Sequence, residues 1–414
     1  MAIALILTMI FLIAIGLPVA FAMLLSATGF MALAGIGMPT LPVTLFSGSA
    51  SFVILAVPLF ILMGEIMSST SIAARLIDLS RALVGWMSGG LAHVNVVSSM
   101  LMAEMSGSAV ADAAMMGKLF VPQMERAGYP RAFSVSVTAA SAIIGIIIPP
   151  SIAMVIFGAV SNTSIRNLFL AGLAPGIGLG IVFMITNRLF ARRENHPRDA
   201  AFAVAALLAA LRRALVPLLI PVVVIGGLIG GIVTPTEAAA IGVIASLLYG
   251  FVLRELSLAT LWRLLVSTSH QSASILIIVA ASAILGQVLA NEQVPQRLAA
   301  HLGDTTESAW LLLLYINLLL LVAGMFLQAT AAIIVVVPVL MPVVLSFGID
   351  PVHFGILTCV NLAIGQQTPP VATVLMTVCG ITRTPIKETF PYMVWYLAAM
   401  FVVLAVVTYL PLMV

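Results

Sequence analysis

Residues 106–112 read Ser106-Gly107-Ser108-Ala-Val-Ala-Asp112, a cluster of small and hydroxylated residues inside an apolar run. Small residues let two helix backbones approach closely. A helix that starts at Ser108 presents unpaired N–H groups and a positive dipole end, which suit an anionic group. A half-helix that ends just before it leaves carbonyls free for Na⁺, and the hydroxyls of Ser106 and Ser108 add oxygen ligands. A second pattern lies downstream. Gly145-Ile-Ile-Ile-Pro149-Pro150, followed by Ser151, recurs as Gly365-Gln-Gln-Thr368-Pro369-Pro370, displaced by 220 positions (145 to 365). Proline removes an N–H and clashes with the carbonyl four residues back. Each double proline therefore frees carbonyls, around Gly145 and Ile146 in one copy and near Gly365 in the other. Thr368 and Asn361 lie close to the second break, and Ser141 holds the position equivalent to Asn361.

Four acidic residues fall in or beside apolar runs, where an ionisable side chain is costly and functional by default. They are Glu65, Glu104, Asp112 and Glu237. Glu104 stands two residues before Ser106 and can sense a cation or a proton. Asp112 can point into the same site or pair with Lys118. Glu237, in Thr234-Pro235-Thr236-Glu237, suits a helix cap. Glu65 can pair with a neighbouring donor. No Walker sequence is present, and no His/Cys/Asp cluster has metal-ligand spacing, so ATP hydrolysis and enzymatic chemistry are not expected. Cys359 and Cys379 lie in apolar runs, which argues against a structural disulfide.

The elements that must position these groups follow from composition. Hydrophobic residues make up 62% of the 414 and charged residues only 7%. A soluble domain carries about 25% charged residues, so the chain is an all-α polytopic membrane protein. Met1 to Ala20 lacks a basic n-region and a cleavage site and is read as a retained span. Spans of about 20 apolar residues fall near 2–36 (one long or two short), 49–69, 132–160, 168–187, 214–233, 238–253, 269–290, 352–380 and 390–412. Two longer apolar regions, 88–122 and 309–345, have polar or small residues at their centres: Ser106-Gly107-Ser108 in one, Gln328-Ala-Thr330 in the other. The 220-residue shift superimposes them, together with Pro122 on Pro342, Gly128 on Gly348 and Thr138 on Thr358. Both are read as re-entrant helical hairpins.

Charge sets the orientation. Arg75, Arg81, Lys118, Arg126 and Arg131 flank the first hairpin, while Glu292, Asp304, Glu307 and Asp350 with only Arg297 flank the second. The positive-inside rule puts the first set in the cytoplasm and the second outside, so the two repeats are inverted. The expected organisation is a first repeat at 1–187, a cytoplasmic linker at 188–213 and a second repeat at 214–414. The formal net charge of +3 comes from clustered loop arginines, an orientation signal toward the lipid bilayer and not a nucleic-acid surface. Ile72–Leu79 and Pro295–Leu302 are amphipathic and can lie flat as arms beside the hairpins. Paired helix breaks in corresponding positions of two halves point to the binding site of a secondary transporter. The expected substrate contacts are Ser106, Gly107, Ser108, Ser151, Thr330 and Thr368. The expected Na⁺ contacts are Ser106, Ser108, Ser141, Gly145, Gln328, Thr330, Asn361, Gly365 and Thr368, with one cation site where each hairpin meets its break. The second break should be the more polar, because Gln366-Gln367-Thr368 replaces Ile146-Ile147-Ile148.

Several segments together resemble the large membrane subunit of tripartite ATP-independent periplasmic (TRAP) transporters. They are Pro58-Leu-Phe-Ile-Leu-Met-Gly64-Glu65-Ile-Met, Ser106-Gly-Ser-Ala-Val-Ala-Asp112, Gly128-Tyr129, Ile148-Pro-Pro-Ser151-Ile, Thr234-Pro-Thr-Glu237-Ala, Asp350-Pro-Val-His353-Phe-Gly355 and Thr368-Pro-Pro370. The resemblance runs nearly end to end. It implies secondary uptake of organic acids, often C4-dicarboxylates or sialic acids, across a bacterial or archaeal cytoplasmic membrane. It also implies an elevator in which hairpins and broken helices move against a scaffold of the remaining spans. A separate small four-span membrane subunit and a soluble periplasmic substrate-binding protein are the implied partners, with Na⁺ as coupling ion and no other cofactor. In one respect the chain departs from the family pattern. The second hairpin tip, often acidic in the family, carries the amide Gln328, which puts ion stoichiometry in question. A stand-alone divalent-anion/sodium symporter-like carrier and a proton-coupled variant are the alternatives.

Overall fold

The computed structural model describes residues 2–33, 35, 38–106, 108–199, 201–294, 296–297 and 308–412, without the side chains of residues 2, 3 and 104–106. The described chain is helical throughout, and eight of its helices are long and apolar enough to cross a membrane. Their outward faces carry exposed large apolar side chains such as Ile181, Leu215, Val222, Leu248 and Leu318. That pattern fits a lipid solvent, because helices that are hydrophobic all round must be buried in protein or membrane. The N-terminal stretch, expected as one span or two, is two short helices, Ala2–Ala14 and Val19–Leu33, parted at Gly16 with φ 94°.

Both apolar regions with polar centres are helical hairpins. Hairpin 1 pairs Gly90–Ser106 with Ala109–Arg126, and hairpin 2 pairs Ala309–Phe326 with Ala329–Ser346. Each is followed by a turn through a glycine in the left-handed region, Gly128 at φ 91° and Gly348 at φ 70°. Only glycine adopts that conformation without a steric cost, which accounts for its recurrence at the same place in each repeat. Each turn then enters an interrupted helix. The first runs Arg131–Ala142, a short turn Ile144–Ile147, and Ile152–Ser161; the second runs Pro351–Gly365 and Thr373–Thr382. The peptide bonds Pro149–Pro150 and Pro369–Pro370 are both cis.

The two repeats interlace. The first half of each interrupted helix packs on its own hairpin, whereas the second half packs on the hairpin of the other repeat. Thus Ile152–Ser161 lies against Ala329–Ser346, and Thr373–Thr382 lies against Ala109–Arg126. At the latter contact a Cβ on Gly117 would meet Val378 Cγ1 at 3.2 Å. Gln367 adds a direct tie from the second break to the first interrupted helix, its Nε2 donating to the Ala139 carbonyl at 2.5 Å. Around this interlaced unit run Ala56–Ser68, Pro235–Val252 and the 34-residue helix Leu258–Asn291.

Ile72–Val84 is an amphipathic helix before hairpin 1, and it packs on Val204–Ile229. The corresponding segment before hairpin 2, Pro295–Leu302, lies largely outside the described residues. The stretch between Arg193 and Val204 does not hang free. The Pro197 carbonyl accepts from the N–H of Gly89 and Gly90 and from the Tyr129 hydroxyl at 3.2, 3.3 and 3.0 Å. Asp199 pairs with Arg81 at 2.6 Å. The buried His196 ring lies 4.7 Å from Tyr129 and 4.6 Å from Phe133, centroid to centroid.

Candidate functional site

The tips of both hairpins and the ends of both breaks converge on one cavity of about 260 Å³. Ser108 reaches it from hairpin 1, Gln328 and Thr330 from hairpin 2, Ile146 from the first break and Gln366 from the second. Three residues of the long helix Leu258–Asn291 complete the wall: Gln271, Ser274 and Ile275. Ser108 is the cap of its half-helix, its Oγ accepting from the Ala111 N–H at 3.4 Å. Gln328 is the first residue before the other half-helix. Two helix N-termini therefore face the cavity from opposite tips, and each contributes a partial positive charge. Among the described residues no Lys, Arg or His lines it.

Hairpin 1 meets the first break through a glycine contact. A Cβ built on Gly145 would lie 2.8 Å from Asp112 Oδ2 and 3.3 Å from the Ala103 carbonyl. Only a residue without a side chain leaves room there for a carboxylate and a main-chain oxygen. Asp112 is 6% exposed. At the second break the contact is tighter and carries no carboxylate. A Cβ on Gly365 would lie 2.7 Å from Gly324 Cα and 3.0 Å from the Leu321 carbonyl. The repeat sets Ala332 opposite Asp112 and Gly324 opposite Glu104. Among the described residues no three His, Cys, Asp or Glu side chains gather into a metal site. An ion at either break would rest on carbonyls, hydroxyls and amides, with one carboxylate at the first.

Ser141 and Asn361 hold matching positions and act alike. Each ties its interrupted helix to the first helix of its own hairpin. Ser141 Oγ donates to Asn95 Oδ1 at 2.7 Å, and Asn95 Nδ2 donates to Thr138 Oγ1 at 2.7 Å. Asn361 Nδ2 donates to Asn317 Oδ1 at 2.6 Å, and Asn317 Nδ2 donates to Thr408 Oγ1 at 3.1 Å. Asn361 Oδ1 and Gln367 Oε1 are buried without a hydrogen-bond partner, an arrangement that is rare unless an ion or water completes it. The second break is thus the more polar, with Gln366 on the cavity wall and Gln367 buried behind it.

Two expected substrate contacts stand off the cavity wall. Ser151 Oγ donates to the Ile146 carbonyl at 2.5 Å and accepts from the Met154 N–H, so it caps the second half of its helix. Thr368 Oγ1 donates to the Ile364 carbonyl at 2.8 Å. Ser151 thereby satisfies the carbonyl that Pro150 frees, whereas the Ile364 carbonyl also accepts from the Gln367 N–H at 2.9 Å. Glu104, Ser106 and Gly107 fall among the residues whose side chains or placement lie outside the description. Glu237 forms the capping box of Pro235–Val252 with Thr234. Glu65 accepts from Ser267 Oγ at 3.2 Å and from Gln271 Nε2 at 2.5 Å. Gln271, Ser274 and the pairing residues Asn95 and Asn317 were not singled out by the sequence. They sit in helices with no break to mark them.

The chain as a whole has known relatives. Residues 6–413 match the family described as tripartite ATP-independent periplasmic transporter, DctM component. The chain is 36% identical over 373 residues to the C4-dicarboxylate TRAP transporter large permease protein DctM of Pseudomonas aeruginosa, covering 90% of this chain and 87% of that protein. It is 37% identical over 398 residues to the sialic acid TRAP transporter large permease protein SiaM of Vibrio cholerae, covering 96% and 93%. Among solved structures it resembles the Alcanivorax borkumensis YdaH transporter, with a TM-score of 0.64 at 18% identity over 89% of this chain and 87% of that one. That likeness concerns the fold. The chain belongs to the DctM family of tripartite ATP-independent periplasmic transporters, as a multi-pass large permease subunit and not an enzyme.

Proposed function

We propose that this permease takes up an organic acid across the inner membrane, coupled to Na⁺, by an elevator motion of the interlaced hairpins and broken helices. The observation that carries this reading is the cavity where both tips, both breaks and the helix Leu258–Asn291 meet. A carboxylate there would face two helix N-termini. One cation would bind at the Asp112–Gly145 contact and another beside the unpartnered oxygens of Asn361 and Gln367. Carbonyls at broken helices suit Na⁺ in this role. The cross-packing of each break on the other hairpin supports movement of these elements as one body. The repeats, 1–187 and 214–414, are inverted across the membrane on this reading, joined by 188–213.

A separate four-span subunit and a periplasmic binding protein would complete the system. A fused relative, the isethionate TRAP transporter permease protein DctMQ of Oleidesulfovibrio alaskensis, is 36% identical, and this chain covers 63% of it. The test is uptake into liposomes holding the permease and small subunit, with the binding protein outside, at varied Na⁺ and pH. Uptake that rises with Na⁺ and requires the binding protein supports the reading. No Na⁺-dependent uptake of any organic acid overturns it, and dependence on pH alone favours the proton-coupled alternative.

A further inference from the structure

We propose that Gln271 reads a hydroxyl of the transported acid and that Glu65 positions it to do so. This rests on the organic-acid reading above and narrows its substrate to hydroxy acids. Glu65 makes no ion pair among the described residues. Its Oε1 instead takes two neutral donors from one face of Leu258–Asn291, Ser267 Oγ at 3.2 Å and Gln271 Nε2 at 2.5 Å. A carboxylate only accepts hydrogen bonds, and an amide has one donating and one accepting end. The Glu65 charge therefore fixes which way the Gln271 amide points. Its nitrogen is held by Glu65 and also lies 3.2 Å from Ser267 Oγ. The amide oxygen is left for the cavity, whose wall Gln271 forms.

A fixed acceptor opposes a carboxylate and favours a hydroxyl. The rest of the wall is mixed: apolar side chains such as Ile61, Ile146 and Ile275 alternate with uncharged polar ones. Ser108, Ser274, Gln328, Thr330 and Gln366 are neutral groups that both donate and accept. The two helix N-termini suffice for a carboxylate, and the uncharged polar groups of the wall can meet a hydroxyl beside it. Sites built to bond a substrate hydroxyl reject the analogue that lacks it, by factors up to 10⁴–10⁵ when fully buried. Gln271 lines the cavity but is exposed, not buried, so the preference should be smaller, roughly tenfold.

The experiment measures binding to the purified permease with its small subunit, in Na⁺, by calorimetry. The probes are matched acids that differ in hydroxyl content: malate and succinate, lactate and propionate, gluconate and hexanoate. The wild type should hold the hydroxylated member of a bound pair about tenfold tighter. In Gln271→Met the ratio should fall toward one. In Glu65→Gln it should also fall, because the amide at 271 is no longer held in one sense. That second variant decides the matter if Gln271→Met does not fold. A loss of packing alone would weaken both members of a pair and leave their ratio in place. Equal binding of both members by the wild type, or variants that keep the wild-type ratio, overturns this inference and leaves the transporter reading standing. Absence of binding by every acid overturns both.

Discussion

Replacing Gly365 by alanine should separate hairpin 2 from the second break. The added Cβ would lie 2.7 Å from both Cα and carbonyl carbon of Gly324 and 3.0 Å from the Leu321 oxygen, where ordinary contact begins at 3.4 Å. All three neighbours are main chain, so no side chain can rotate away. The helices must part by about 0.7 Å, and overpacking of this kind costs about 1–3 kcal/mol. Gly178 is the internal control. It lies within the helix Ile165–Arg193, and a Cβ there meets nothing within 4 Å. Alanine at that position gains up to about 1 kcal/mol of helix propensity. The two substitutions are chemically identical, yet their stabilities should differ by about 1–4 kcal/mol. Equilibrium unfolding in mixed micelles reads that difference directly. Uptake by Gly365→Ala should fall with it, since the shift lies between a tip and a break. If Gly365→Ala is as stable and as active as Gly178→Ala, the close approach described at the second break is wrong.

Three further outcomes follow from the same geometry. Asp112→Asn should raise the Na⁺ concentration for half-maximal uptake about tenfold or more, as loss of a charged ligand worth about 1.5–3 kcal/mol predicts, while the equivalent Ala332→Ser should shift it little; a Na⁺ titration of uptake measures both. A double-mutant cycle on Asn317 and Asn361, each to alanine, should return a coupling of about 0.6 kcal/mol in unfolding experiments, the usual size for polar pairs between membrane helices. His196 is held below its usual value of 6.5 by burial, with Glu194 partly opposing. The unfolded chain then binds the proton more readily, so the docking of residues 194–199 is fully present above pH 6.5 and weakens as pH falls below it. Amide exchange in that segment should accelerate on acidification, and His196→Phe should remove the dependence.

Much of this architecture was legible because it is doubled. A single Gly-x-x-x-Pro-Pro could be a kink, but its recurrence with Gly128/Gly348 and Pro122/Pro342 located the hairpins, their turns and the interrupted helices. Those features are written in residue types that backbone geometry demands: glycine for left-handed turns, proline for breaks. The cavity wall was legible only where it coincides with them, at Ser108, Gln328 and Thr330. Ser151 and Thr368 have the chemistry of ligands, but main-chain carbonyls next to them claim their hydroxyls. Gln271 and Ser274 lie in an unbroken apolar helix, and only packing turns that face toward the cavity. Glu65 was visible as an anomaly, and its meaning depended on a partner more than 200 residues away.

The bond from Gln367 to the Ala139 carbonyl carries a historical consequence. If the two repeats descend from one ancestral segment, that segment worked as a pair of identical copies, and any bond between their breaks was made twice, once in each direction. In the present chain the reciprocal bond would run from residue 147 to the carbonyl of residue 359, and residue 147 is isoleucine, which has no donor. A glutamine can be gained on one side and not the other only after the two copies are encoded separately. The same holds for Asp112 against Ala332. Duplication thus gave the halves freedom to diverge, and a symmetric ancestor could not have distinguished one break from the other.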